Sequence, residues 1–106
     1  MSLIYHVVSA ADWARADGQP AYEAASLSTE GFIHLATAPQ VAGVLGRYYA
    51  GVPDLMLLHV DTDRLTAELR YEPATDNALF PHLYGPLNRD AVIGVEAITE
   101  VHRQPV

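Results

Sequence analysis

The chain has 106 residues, half of them hydrophobic and 18% charged, with no cysteine; its six basic residues are all arginine. That composition excludes a disulfide framework, a thiolate nucleophile, a lysine Schiff base and a lysine-bearing phosphate loop. A formal net charge of −7, with arginines scattered at 15, 47, 64, 70, 89 and 103, disfavours a nucleic-acid duplex as partner.

One domain spanning residues 1–106 is expected at this length. The opening Met-Ser-Leu-Ile-Tyr-His has no basic region and no long apolar core, and no apolar run reaches bilayer length. The expectation is therefore a soluble cytoplasmic protein with no membrane partner.

Leu3 to Val8 reads as a short strand with Tyr5 and His6 inside it. Ser9 then caps a helix, with Asp12 at its positive end and Trp13 as the anchor, and Gly18 and Pro20 stop it. Ala21 to Glu30 reads as a polar connection. Gly31 to Ala36 is the next strand, and Thr37 opens a helix over Ala38 to about Ala50 through a capping box with Gln40. Val41, Val44, Leu45 and Tyr48 make its apolar stripe, with Gly51 as left-handed cap.

Leu55 to Val60 is nearly continuously apolar, the pattern of a central strand covered on both faces. Thr66 to Glu72 alternates, with Ala67, Leu69 and Tyr71 opposite Glu68, Arg70 and Glu72. Ala74 to Leu79 reads as a polar loop. Pro81 restricts Phe80 to Pro86 to an edge strand or irregular piece, and Val92 to Val101 is a last strand with Gly94 as a bulge or close contact. Two early helices and a late meander predict an α+β fold on a mixed, strongly bent sheet.

Four of the five histidines fall in or beside strands: His6, His34, His59 and His82. A histidine in an apolar strand is most often a satisfied structural residue, and His59, among apolar neighbours, fits that reading best. His102, near the terminus, reads as solvated. His6, His34 and His82 stand out as a set, each near an aromatic or hydroxyl residue (Tyr5, Thr37 and Tyr84). On adjacent strands they would converge on one cleft. Three imidazoles and a carboxylate also suit zinc, but no HxxxH or HxH spacing supports a metal, which ranks below an organic ligand. Glu72, held extended by Pro73, is the carboxylate singled out, whereas Glu68 and Arg70 read as a solvated stripe of local ion pairs. In Tyr84-Gly85-Pro86, the tyrosine offers an aromatic wall and the glycine close approach of a ligand to backbone.

At Ile4-Tyr5-His6, at Gly31-Phe32-Ile33-His34 with Gln40-Val41, at Glu72, and at Phe80-Pro81-His82-Leu83-Tyr84-Gly85-Pro86-Leu87, the chain resembles the small bacterial proteins of domain-of-unknown-function family nine-five-two. More distantly, its layout is similar to the ADP-ribosyltransferase fold and the RNA 2′-phosphotransferases within it. That resemblance implies a split-barrel sheet and a pocket for NAD, ADP-ribose or a related nucleotide. Within it His6 stands at the first motif and His34 to Thr37 at the second. It implies His34, His82 and Glu72 as the proton-handling candidates, and His6, Thr37 and Tyr84 as contacts to the cofactor. The transferases' third-motif glutamate falls near His82, a departure, and their phosphate-binding arginines have no clear match. The alternative is a non-catalytic binding or protein-interaction module on the same fold. Oligomeric state is left open.

Overall fold

The structure is a computed structural model that describes residues 1–104. The fold is α+β. Strand β1 (Leu3–Ser9) leads into helix α1 (Ala10–Arg15), whose first turn is capped by Ser9 Oγ accepting the Asp12 N–H at 3.1 Å. Then come β2 (Ala21–Tyr22), α2 (Ala25–Glu30) and β3 (Ile33–His34). A single 3-10 turn (Ala38–Gln40) runs into α3 (Val41–Tyr48), followed by β4 (Leu55–Asp61), β5 (Glu68–Pro73), β6 (Leu79–Tyr84), β7 (Leu87–Asn88), β8 (Val92–Ala97) and α4 (Glu100–Arg103).

The strands form three sheets, ordered β1-β4-β8, β2-β7 and β3-β6-β5. Every pairing is antiparallel, so the mixed sheet expected from the early helices is corrected. The helices are too short to act as parallel crossovers. Strand alternation decides the core. Ile4, Val8, Leu58 and Val60 face the β3-β6-β5 sheet, where Ile33 and Leu83 meet them, and Leu87 and Ala91 complete the cluster. From the other face, Val7, Leu55 and Leu57 pack against Val41 and Leu45 of α3. Strand β4 is thus central and buried on both faces, as its apolar run predicts. At ~25 cal/mol per Å2 removed from water, each leucine or isoleucine so buried contributes roughly 1.5–3 kcal/mol.

The segment after Gly31 joins the two main sheets. Ile33 and His34 pair with Leu83 and His82 of β6, Leu35 N–H donates to the Pro81 carbonyl, and Ala36 pairs with Tyr5 of β1 through two 2.8 Å bonds. Four residues therefore cross from one sheet to the other. Behind them, Thr37 N–H donates to Gln40 Oε1 at 3.0 Å, and the Gln40 amide donates to the Leu79 carbonyl at 2.8 Å. The helix start is thereby tied to β6.

Several boundaries differ from expectation. Ala21 to Glu30 is not a plain connection but holds β2 and α2, whose left-handed cap is Gly31 (φ 89°). Helix α3 ends at Tyr48, before Gly51, and Tyr48 points outward to bond Thr75 Oγ1. The last strand stops at Ala97, and Thr99 begins α4. Strand β6 is central rather than an edge. It tolerates Pro81 because β3 is only two residues long, so the missing N–H faces Leu35, where only the Pro81 carbonyl is used.

Candidate functional site

The β3-β6-β5 sheet turns Ile33, Leu83 and Leu69 toward the core, so period-2 alternation sends the intervening residues outward. Register then groups them: His34 is directly opposite His82, Arg70 opposite His82 on the other side, and Glu68 opposite Tyr84. Four of the six residues singled out from sequence, His34, Glu72, His82 and Tyr84, meet on this outer face.

The centre is His82, with a side chain only 6% exposed. Its Nδ1 lies 2.9 Å from Glu72 Oε1, and the Tyr84 hydroxyl donates to the same oxygen at 2.5 Å. A carboxylate accepts only, so Nδ1 carries the proton and Nε2 presents a lone pair in the neutral ring. That Nε2 is buried and has no hydrogen-bond partner among the described residues. The bond from Tyr84, then that from His82, holds the Glu72 carboxyl below its usual range, and Glu72 in turn holds the Tyr84 hydroxyl above its own. A carboxylate fixing one imidazole nitrogen and freeing the other is the arrangement that prepares a histidine to accept a proton or hold a ligand.

Aromatic rings cover this group. Phe32 lies flat on His82, centroids 4.1 Å apart and planes 19° from parallel, with its edge toward His34 at 4.9 Å and Tyr84 at 5.3 Å. His34 stands perpendicular to His82 at 5.4 Å and donates from Nε2 to Glu30 at 2.9 Å. Arg70 spans Glu68 by two bonds and lays its guanidinium 4.3 Å over the Tyr84 ring.

The other two sequence candidates sit elsewhere. His6 faces the interior between the sheets, so the three histidines do not converge. Its Nδ1 donates to the His34 carbonyl at 2.7 Å, and its Nε2 accepts from the Tyr22 hydroxyl at 3.2 Å. Burial lowers its pKa to about 4 and pushes Tyr22 up to about 12. His6 is thus a neutral strut that pins the backbone carrying His34. Thr37 caps the start of α3, and its amide is already taken by Gln40.

Phe32, Glu30 and Arg70 were not read as parts of the site. The signals existed: Phe32 shares the face of His34 by its i, i+2 spacing, and Arg70 alternates in step with Glu72. The space beside Gly85 was expected to admit a ligand, yet a Cβ there would meet the Ala67 Cβ at 2.7 Å. That glycine serves packing against Ala67, just ahead of β5. His59 is the satisfied structural histidine expected, though through a carboxylate and not through apolar neighbours, and His102 corrects the solvated reading. His59 Nε2 donates to Glu96 Oε2 at 2.5 Å, His102 Nε2 donates to Glu96 Oε1 at 3.0 Å, and the Thr99 N–H donates to His102 Nδ1 at 2.9 Å. Neither is surrounded only by apolar groups nor freely solvated.

Residues 7–95 match the protein family of unknown function DUF952, and the chain belongs to that family. No curated protein matches it. Its fold is also that of protein CC0527 from Caulobacter crescentus. The crystal structure of that protein is 33% identical, with a TM-score of 0.85 over 92% of this chain and 87% of the other. The solution structure of the same protein gives 34% identity and a TM-score of 0.79 over 92% and 85%.

Proposed function

We propose that the outer face of the β3-β6-β5 sheet is a small-molecule site taking NAD, ADP-ribose or a related nucleotide in an ADP-ribosyltransferase-like manner. What supports the reading is one atom: His82 Nε2, buried, unpartnered and backed by Glu72. Buried polar atoms are nearly always paired, so an unpaired one calls for a structural or functional reason. A ribose hydroxyl has the matching hydrogen-bond donor. It would donate to Nε2, and Glu72 would stabilise the imidazolium if the proton were passed on. His34 and Phe32 would flank the ring, and His6 would hold the strand in place from behind.

The test is an NMR titration of isotope-labelled protein with NAD, ADP-ribose and a 2′-phosphorylated dinucleotide. Shifts centred on Phe32, His34, His82 and Tyr84, absent in His82→Ala, are expected. No shifts at millimolar ligand would remove the nucleotide reading.

The alternative, a binding module without turnover, has its own observation. Phe32 covers His82, and Arg70 already occupies the face of Tyr84. It predicts saturable shifts with no product formed on prolonged incubation with NAD.

A further inference from the structure

Apart from the Arg70 guanidinium, the hydrogen-bonding capacity left over on this face has one sign. His82 Nδ1 and the Tyr84 hydroxyl both spend their hydrogens on Glu72 Oε1, and His34 spends its Nε2 hydrogen on Glu30. As neutral rings, both imidazoles then offer only lone pairs, at His82 Nε2 and His34 Nδ1. The second Glu72 oxygen, Oε2, is an acceptor as well. The charge agrees: Glu30, Glu68 and Glu72 surround the group, and Arg70, the cation among them, is committed to Glu68 by two bonds. Aromatic surface is supplied by Phe32 and Tyr84. That Tyr84 already carries a planar guanidinium on its ring shows the kind of group this face accepts.

We infer that the group recognised at His82 Nε2 is a planar, cationic hydrogen-bond donor (an amidinium, guanidinium or aminated ring), preferred there over phosphate and carboxylate groups. The inference rests on the reading of this face as the ligand site, and it brings a cationic donor, in place of a ribose hydroxyl, to Nε2. An anion brought to Nε2 and Glu72 Oε2 would meet lone pairs and a negative charge, and Arg70, the cation of this face, is already paired with Glu68. A donor cation satisfies the buried nitrogen, pairs with the carboxylate and replaces or slides beside the Phe32 ring.

The experiment uses benzamidine as the cationic probe, with benzoate as its anionic isostere and inorganic phosphate as a second anion. Each is titrated by NMR into the full chain at pH 8, where free imidazole is neutral. Benzamidine should move the Phe32, His34, His82 and Tyr84 signals saturably, while benzoate and phosphate leave them in place. Glu72→Gln should weaken benzamidine by about tenfold or more, with signals of the other sheets unmoved. Benzoate or phosphate moving these signals at equal or lower concentration overturns the inference, as does silence with benzamidine. A parallel arm with NAD separates the two levels. Shifts with NAD but none with benzamidine sink the cation inference and keep the site. Silence with both removes the site as well.

Discussion

Each three-stranded sheet sets histidine against glutamate, and the two groups are wired in opposite ways. On the first sheet, Glu96 receives His59 on one oxygen and His102 on the other, and the far nitrogen of His102 is satisfied by the Thr99 amide. The bonds close on one another and tie α4 to β8. On the second sheet, Glu72 receives both His82 and Tyr84 on a single oxygen, and the far nitrogen of His82 is buried without a partner. Closed networks hold elements together, whereas an open one spends stability on a capacity the fold itself does not use. The same residue pair thus reads as a clasp in one place and as a candidate site in the other.

His6 supplies the sharpest contrast to His82, because both are buried and only His6 has both nitrogens occupied. With a folded pKa near 4 against 6.5 in the unfolded chain, its proton binds the unfolded state preferentially. Its stabilisation is complete above pH 6.5 and is lost as pH falls toward 4, by about 3 kcal/mol at 1.36 kcal/mol per unit. Urea unfolding between pH 7 and 4 should show that decline, and His6→Gln, which can donate and accept but not titrate, should flatten it. An equal slope in the variant would assign the acid sensitivity elsewhere.

His82 should behave otherwise. His82→Phe removes the unpartnered Nε2 together with the Nδ1 bond to Glu72, whose part-exposed carboxylate keeps the Tyr84 hydroxyl and solvent, so unfolding free energy is expected to stay within about 1 kcal/mol of the parent. The same substitution at His6, which strands the Tyr22 hydroxyl and the His34 carbonyl, should cost about 2–3 kcal/mol. Equal losses at both positions would erase the distinction between strut and site.

How much of this was legible beforehand follows from the range of each signal. The outward set on β5, the buried β4 and the turn at Thr37 rest on periods of two or 3.6 and on local caps, which a single sequence displays. Glu72 could be singled out because Pro73 fixes its backbone. Its partners could not, since they depend on β5 pairing with β6 in one register rather than the next. The same applies to His59, whose neighbours in sequence are apolar while its neighbour in space is Glu96. His6 misled for the opposite reason. It is one strand away from His34 but points to the other side, and alternation alone does not say which side is the core. Strand β6 was demoted by Pro81 because the two-residue length of β3 was invisible.

Phe32 is the element that separates an accessible open network from a merely unsatisfied one. Diethyl pyrocarbonate acylates an imidazole nitrogen that is free and reachable. In the parent, His82 should react more slowly than His34, whose side chain is half exposed. Phe32→Ala uncovers the ring, and the His82 rate should rise several-fold while that of His102, with both nitrogens bonded, stays unchanged. No acceleration at His82, read by peptide mass spectrometry, would mean that Nε2 faces packed atoms and that the proposed site is closed by more than Phe32.

The smallest effect belongs to Glu96, and its smallness is what the comparison requires. The carboxyl is held below its usual range, first by His59, yet its side chain is 45% exposed, so solvent screens most of the pair energy. Because the folded pKa is lowered, the contribution is present above about pH 4.5 and fades as the pH falls below it. Glu96→Gln should therefore lower stability at pH 7 by about 0–1 kcal/mol. It should loosen α4, seen as faster amide exchange at His102, and leave ligand-induced shifts at His82 untouched. Glu72→Gln should give the reverse pattern, with α4 exchange unchanged and ligand shifts reduced. If exchanging the two glutamines produced the same losses in both assays, the clasp and the site would be one coupled network, and the division drawn between the two sheets would fail.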